Sequence, residues 1–292
     1  MAVDPVPPES HAPAMAQIRN AEPRPPPSRP QNAAGHASAR GRTLFANFLR
    51  RDLTTRYLGS FTGLAWALIH PLVLLAVYHF VFTTVFRARG VGDASFLLFV
   101  AVALWPWLAA QEALQRAAVS IGSYAGLIRK VAFPHELIVY ASVAGTLLLQ
   151  FAGYLLVLAV LAALGEPVRF EGLLVAVPLW LVMGVAATGV ALLLAALQVF
   201  IRDVEHVLMP VLMILMFMTP ILYPLAMVPE NMRPWVAANP FGWLVGRMRD
   251  ALLEGRLGLH WDDAAAAAVA IAVFAAGRAV FRRLSPHFED FV

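Results

Sequence analysis

The sequence predicts an all-α polytopic membrane protein, and three observations carry that prediction. The chain is 60% hydrophobic, and only 14% of its 292 residues are charged, where a soluble protein carries about 25%. Its mean hydropathy is +0.70. A basic segment around Arg50, Arg51 and Arg56 runs straight into residues 61–86, which hold no Lys, Arg, Asp or Glu. An ionised side chain at mid-bilayer costs roughly 3 kcal/mol or more, so a charge-free apolar run of that length reads as a membrane span.

The elements follow in chain order. Residues 1–42 are rich in Pro, Ala, Arg and polar residues; they bury no core and read as a disordered tail without the apolar stretch of a secretory signal. Residues 43–292 form the folded unit. At about 43–57, Leu44, Phe45, Phe48, Leu49, Leu53 and Tyr57 recur at helical spacing, with the arginines between them. That pattern predicts an amphipathic helix lying in the membrane interface. Six apolar runs follow, at about 61–86, 94–114, 137–164, 172–200, 204–228 and 264–281. Arg116, Arg129, Lys130, Arg202, Arg282 and Arg283 fall on the side of the N-terminal tail, and the bias in the short loops puts both termini in the cytoplasm. Pro220, Pro224, Pro229, Pro234 and Pro240 break the helix near the fifth run. Short re-entrant or interfacial external helices between spans five and six accommodate them, because irregular backbone at membrane depth is tolerated only inside protein or water.

The chemistry present narrows the function. Net charge is +4, with basic residues clustered at span ends, a topology and lipid-headgroup signal instead of a nucleic-acid footprint. Cysteine is absent, which excludes disulfides and thiolate chemistry. Asp52, Asp93, Glu112, Glu136, Glu166, Glu171, Asp203, Glu205 and Glu230 all read as span-end or loop residues. A proton- or sodium-coupled carrier places such groups at mid-membrane. Asp203, Glu205 and His206 offer oxygen and imidazole donors, but a short polar loop of this kind reads as solvated. His70 and His79 read as buried, hydrogen-bonded histidines within span one. No catalytic residue and no metal ligand is expected. The phosphate loop GxxxxGK[ST] needs a Lys after a glycine turn, and the sole lysine, Lys130, follows Arg129. This chain does not hold ATP in that way, so a motor for active transport has to be a separate polypeptide.

Two further groups stand out. Between spans two and three, Ile121, Tyr124, Ile128 and Val131 recur at three- and four-residue spacing before Pro134. The stripe suits either docking to a partner or lying on lipid headgroups. Tyr78, Phe82, Trp105 and Trp107 belong to a dense aromatic cluster near the external ends of the first two spans. Such residues form the interfacial belt or line a path, because the apolar faces of sugars stack on aromatic rings.

Several ordered blocks resemble the membrane subunits of ABC-2 type exporters, particularly the O-antigen, capsule and teichoic-acid permeases. The first runs from Arg51-Asp52-Leu53 through Arg56-Tyr57-Leu58-Gly59-Ser60 and Gly63-Leu64-Ala65-Trp66 to His70-Pro71-Leu72. It is similar to RDLxxRYKGSxLGxxWxLLNPL, with Leu58 in place of the usual Lys and His70 in place of the usual Asn. The second is Pro106-Trp107 followed by Leu127-Ile128-Arg129-Lys130-Val131-Ala132-Phe133-Pro134. The third is Arg202-Asp203-Val204 with Thr219-Pro220-Ile221-Leu222-Tyr223-Pro224, and the fourth is Val228-Pro229, Asn239-Pro240 and Arg249-Asp250-Ala251-Leu252-Leu253.

The resemblance implies a homodimer of six-span protomers in the bacterial inner membrane with two cytoplasmic ABC ATPase subunits, which bind the ATP and Mg; this chain binds no cofactor. It makes the loop with Ile121, Tyr124, Leu127, Ile128, Arg129 and Lys130 the coupling helix that receives the ATPase. It makes the stretch with Pro229, Asn239, Pro240 and Arg249 an external gate. The implied cargo is an undecaprenyl-pyrophosphate-linked glycan, with Arg50, Arg51 and Arg56 placed to hold the pyrophosphate and Tyr78, Phe82, Trp105 and Trp107 along the translocation path. The alternatives are capsule, teichoic-acid or small-hydrophobic-molecule export, or a proton-coupled flippase. Nucleic acid is not an expected partner.

Overall fold

The computed structural model describes residues 33–57, 63–86, 94–131, 133–237 and 239–291. Helices carry the fold among them. Helix α1 (Ala33–Tyr57) starts within the stretch read as tail, and residues 1–32 lie outside the described residues. Then come α2 (Gly63–His79), which continues as a π-helix over Phe80–Val85, α3 (Phe96–Ala118), the short α4 (Ser120–Ser123) and α5 (Ala125–Ile128), and α6 (Glu136–Ala163). These are followed by α7 (Leu173–Phe200), α8 (Val204–Met218), α9 (Arg233–Ala237), α10 (Pro240–Leu252), α11 (Trp261–Leu284) and α12 (Phe288–Phe291).

Four of the described helical stretches are long and apolar enough to cross a membrane: Phe96–Ala118, Glu136–Ala163, Phe170–Phe200 and Trp261–Phe291. Ile69–Val85 and Val204–Met218 are apolar but shorter. The fifth expected span, 204–228, is therefore cut at Met218. At 1.5 Å per residue, α8 reaches about 22 Å, short of the roughly 30 Å hydrocarbon core. Thr219-Pro220 ends it, because proline bars the preceding residue from helical backbone, and Thr219 is extended at ψ 136°.

The core is built from α3, α6 and α7. Leu98, Val102 and Trp105 of α3 pack with Tyr154, Val157 and Leu158 of α6 and with Leu192, Ala195 and Ala196 of α7. The Tyr154 hydroxyl donates to the Val102 carbonyl at 3.2 Å, and the Tyr154 ring stacks on Trp180. Helix α11 closes on α7 through glycines. A Cβ built on Gly277 would fall on the Gly189 carbonyl, and one on Gly189 would lie 2.6 Å from the Phe274 Cα. Lipid tails are as apolar as Leu, so helix association in a bilayer depends on such close backbone approach.

The elements sort to two ends. At one end Phe288 packs against Phe200 and Phe281, and its ring stacks on His135. There Glu136 receives Arg278 at 3.1 Å and Arg282 at 3.0 Å. At the opposite end the Ser95 amide donates to Glu166, and the Arg169 amide donates to the Leu252 carbonyl. The amphipathic α1 is anchored at the first end. Phe48 is buried, and Leu44, Phe45 and Leu49 pack partly buried against the core. A Cβ on Gly145 of α6 would lie 2.6 Å from the Asp52 carboxylate and 3.4 Å from Leu49, so α1 rests on protein as well as on any interface.

Candidate coupling loop, gate and polar cleft

The loop between α3 and α6 folds as two four-residue helical turns, broken at Tyr124. Its apolar stripe points inward: Ile121 is 0% exposed and Ile128 1%. These two residues seat the loop on its own core. The outward side carries Gly122, Ser123, Gly126, Arg129 and Lys130, all exposed. Open space lies beyond the Cα of Gly122 and of Gly126, so two glycines four residues apart leave a shallow notch beside two cations. Tyr124 joins the loop to α1. Its ring meets Phe48 edge-on at 5.4 Å, and the Arg51 guanidinium lies 4.9 Å from its centroid. Burial pushes the Tyr124 hydroxyl above its ordinary range, while Arg51 pulls the other way.

Of the three arginines expected at a pyrophosphate, Arg50 and Arg51 are exposed, and the Arg56 side chain lies outside the described residues. Arg51 shares a cavity of about 260 Å³ with Arg116, Asp52, Thr55, Ser120 and Ser123. Arg116, which sequence reasoning treated only as a topology signal, is thus the second cation at this level.

The segment expected to form an external gate splits in two. Pro229 is exposed. Asn239 and Pro240 begin α10 as cap and first residue: the Asn239 side chain accepts from the Phe241 amide at 3.0 Å and donates to the Thr219 hydroxyl at 2.8 Å. Arg249 is 8% exposed. It donates to the carbonyls of Phe99 at 3.0 Å, Pro220 at 2.6 Å and Ile221, with its guanidinium 3.4 Å from the Phe99 ring centroid. Carbonyls left without partners by the break after α8 are thereby satisfied by one planar fork. A second buried arginine, Arg247, donates to Asp263 at the start of α11.

A polar cleft of about 490 Å³ opens between α2, α3 and α6. Gln111, Glu112 and Gln115 line it from α3, Gln150 from α6, and His70 and Trp66 from α2. Glu112 accepts from Gln150 at 2.5 Å and from Arg116 at 2.8 Å, and the Trp107 indole donates to Gln111 at 3.1 Å. Three expectations change here. Helix α3 runs on to Ala118, so Glu112 lies inside it, about 9 Å from its end, and is not a span-end residue. His70 is exposed on the cleft, and His79 is exposed as well; neither is a buried core histidine. Of the four aromatics expected along a path, Tyr78 and Phe82 stack at 5.8 Å, Trp107 is buried edge-on against Phe241 at 4.9 Å, and Trp105 is buried but lines the cleft. The glutamines carried no charge and matched no motif, so only their proximity across two helices reveals them.

Residues 43–253 match the family model for the ABC-2 type transporter. The chain belongs to that family. It is 30% identical over 254 residues to a protein named O-antigen export system permease protein RfbA from Myxococcus xanthus, covering 85% of this chain and 95% of that one. It is 26% identical over 212 residues to the protein of the same name from Klebsiella pneumoniae, covering 72% and 80%. It is also 26% identical over 219 residues to polysialic acid transport protein KpsM from Escherichia coli, covering 73% and 82%. The matched stretch includes α1 from residue 43, the loop between α3 and α6, the cleft and α10. This ABC-2 chain is accordingly a membrane component of a transporter.

Proposed function

We propose that this ABC-2 chain is the permease subunit of an ATP-driven exporter that moves a lipid-linked polysaccharide, O-antigen or a related cell-surface glycan, from the cytoplasmic to the outer face of the inner membrane. The observation that carries the cargo is the likeness to O-antigen export permeases along 95% of one relative's length. The six apolar runs make six passes with both termini in the cytoplasm, the short α8 being completed by the turn and 3-10 segment that follow Met218. Two copies of the chain form the pathway, and two separate ATPase subunits supply the energy. The ATPase docks at the notch of Gly122 and Gly126, with Arg129 and Lys130 beside it as charge partners. Tyr124 relays its movement to α1 through Phe48 and Arg51. Arg51 and Arg116 receive the pyrophosphate by charge-assisted hydrogen bonds.

The test is affinity purification from native membranes in mild detergent, followed by mass spectrometry. The expected result is a stoichiometric ATPase subunit that carries a phosphate loop and is lost from a Gly126→Trp variant. A reproducible preparation without an ATPase would overturn the exporter reading.

A further inference from the structure

We infer that the cleft between α2, α3 and α6 is a pyranose-recognition subsite in which the amides of Gln111, Gln115 and Gln150 and the carboxylate of Glu112 read sugar hydroxyls. The inference rests on the polysaccharide reading above and names where this chain touches the sugar.

Polar side chains inside a bilayer are expensive and mark pathways. Gln150 stands fourteen residues into α6, about 21 Å from its start and so near mid-bilayer. Amides and a carboxylate are the groups that match adjacent hydroxyls, because an amide offers a donor and an acceptor side by side while a carboxylate accepts twice. A purely apolar cargo needs none of them. One accessible indole flanks the polar floor: Trp66 is 57% exposed, whereas Trp105 is buried beneath the lining. Indole faces suit the C–H faces of a sugar ring. The volume of about 490 Å³ falls in the range of small-molecule sites.

Gln115 supplies the second, independent observation. Its Nε2 is buried without a hydrogen-bond partner among the described residues, although buried donors are nearly always paired. The same side chain lines a second cavity of about 330 Å³ with Val119, Glu205 and His206. That cavity lies toward the end where the coupling loop sits. Gln115 therefore stands between the two cavities, where rotation of the buried amide brings it to an arriving hydroxyl. Glu205 and His206, which line that second cavity, form the polar mouth of this route.

The test uses the permease–ATPase complex in nanodiscs, with lipid-linked glycan extracted from the native membrane as the probe. Gln115→Leu and Gln150→Leu each raise the glycan concentration for half-maximal ATPase stimulation about tenfold, the worth of one buried hydrogen bond. The stimulated plateau is retained. A merely structural defect would lower the plateau instead. The chain has no cysteine, so Leu108→Cys on the cleft wall gives a direct check. The lipid-linked glycan protects it from maleimide, and undecaprenyl phosphate alone does not. Equal protection by both, or by neither, overturns the subsite, as do variants with wild-type half-stimulation. A wild-type complex that the glycan fails to stimulate overturns the polysaccharide reading itself, and the subsite with it.

Discussion

Replacing Arg249 by Met should unlatch α10. The guanidinium holds three main-chain carbonyls, of Phe99, Pro220 and Ile221, and lies against the Phe99 ring. Hydrogen bonds to a charged group contribute about 1.5–3 kcal/mol each, and a desolvated cation–π contact about 2. These do not add, because the buried charge also carries a desolvation cost. Losing the fork leaves three buried carbonyls unpaired, each costing about 1–3 kcal/mol and less than additively. Taking ~4 kcal/mol, the fraction of molecules with α10 detached rises about a thousandfold. Val245 sits on α10 at 0% exposure, and a Val245→Cys reporter needs no background cysteines removed. When closing outpaces the chemistry, maleimide labelling tracks the open population. Arg249→Met should therefore speed labelling by about a thousandfold. Arg249→Lys keeps the charge but loses the fork, and should give about 30-fold. Labelling of Arg249→Met at the parent rate would refute the latch.

Three further outcomes follow from the packing. Gly277→Ala drives a methyl into the Gly189 carbonyl. It should destabilise the α7–α11 contact by about 3 kcal/mol, seen as earlier thermal aggregation in detergent. Glu136→Gln breaks the pair of contacts to Arg278 and Arg282. Both arginines are well exposed, so the loss is discounted to about 1–2 kcal/mol, and proteolysis after Arg282 should quicken. Burial pushes His135 below its ordinary range, against the opposing pull of Glu289. Folding then favours the neutral ring: its contribution is full above about pH 6.5 and is lost as pH falls through the folded value. The thermal midpoint should drop on acidification, and His135→Phe should flatten that drop.

Much of the fold was legible in the sequence because charge-free runs and prolines are local signals. The spans from α3, α6, α7 and α11 lie within a few residues of the expected bounds. The fifth helix is shorter than its apolar run because Leu222 to Val228 stay largely apolar past Pro220, after the backbone has turned. Inward and outward faces were harder to read. Ile121 and Ile128 carried the apolar periodicity that suggested docking, yet that periodicity marks burial of either kind, and the chain's own core claimed it. Arg249 shows the same limit: its motif was readable, but the three carbonyls it satisfies come from positions 99, 220 and 221, far apart in sequence. The cleft glutamines were invisible for the same reason, since α3 and α6 join them only in three dimensions.

The most direct test of the central claim is deletion of this chain's gene in its native host. Surface polysaccharide and lipid-linked glycan on the cytoplasmic leaflet are then quantified separately. Loss of surface polymer with accumulation of the same lipid-linked polymer inside, restored by the wild-type chain, is the predicted result. Normal surface polymer with no internal accumulation would contradict it.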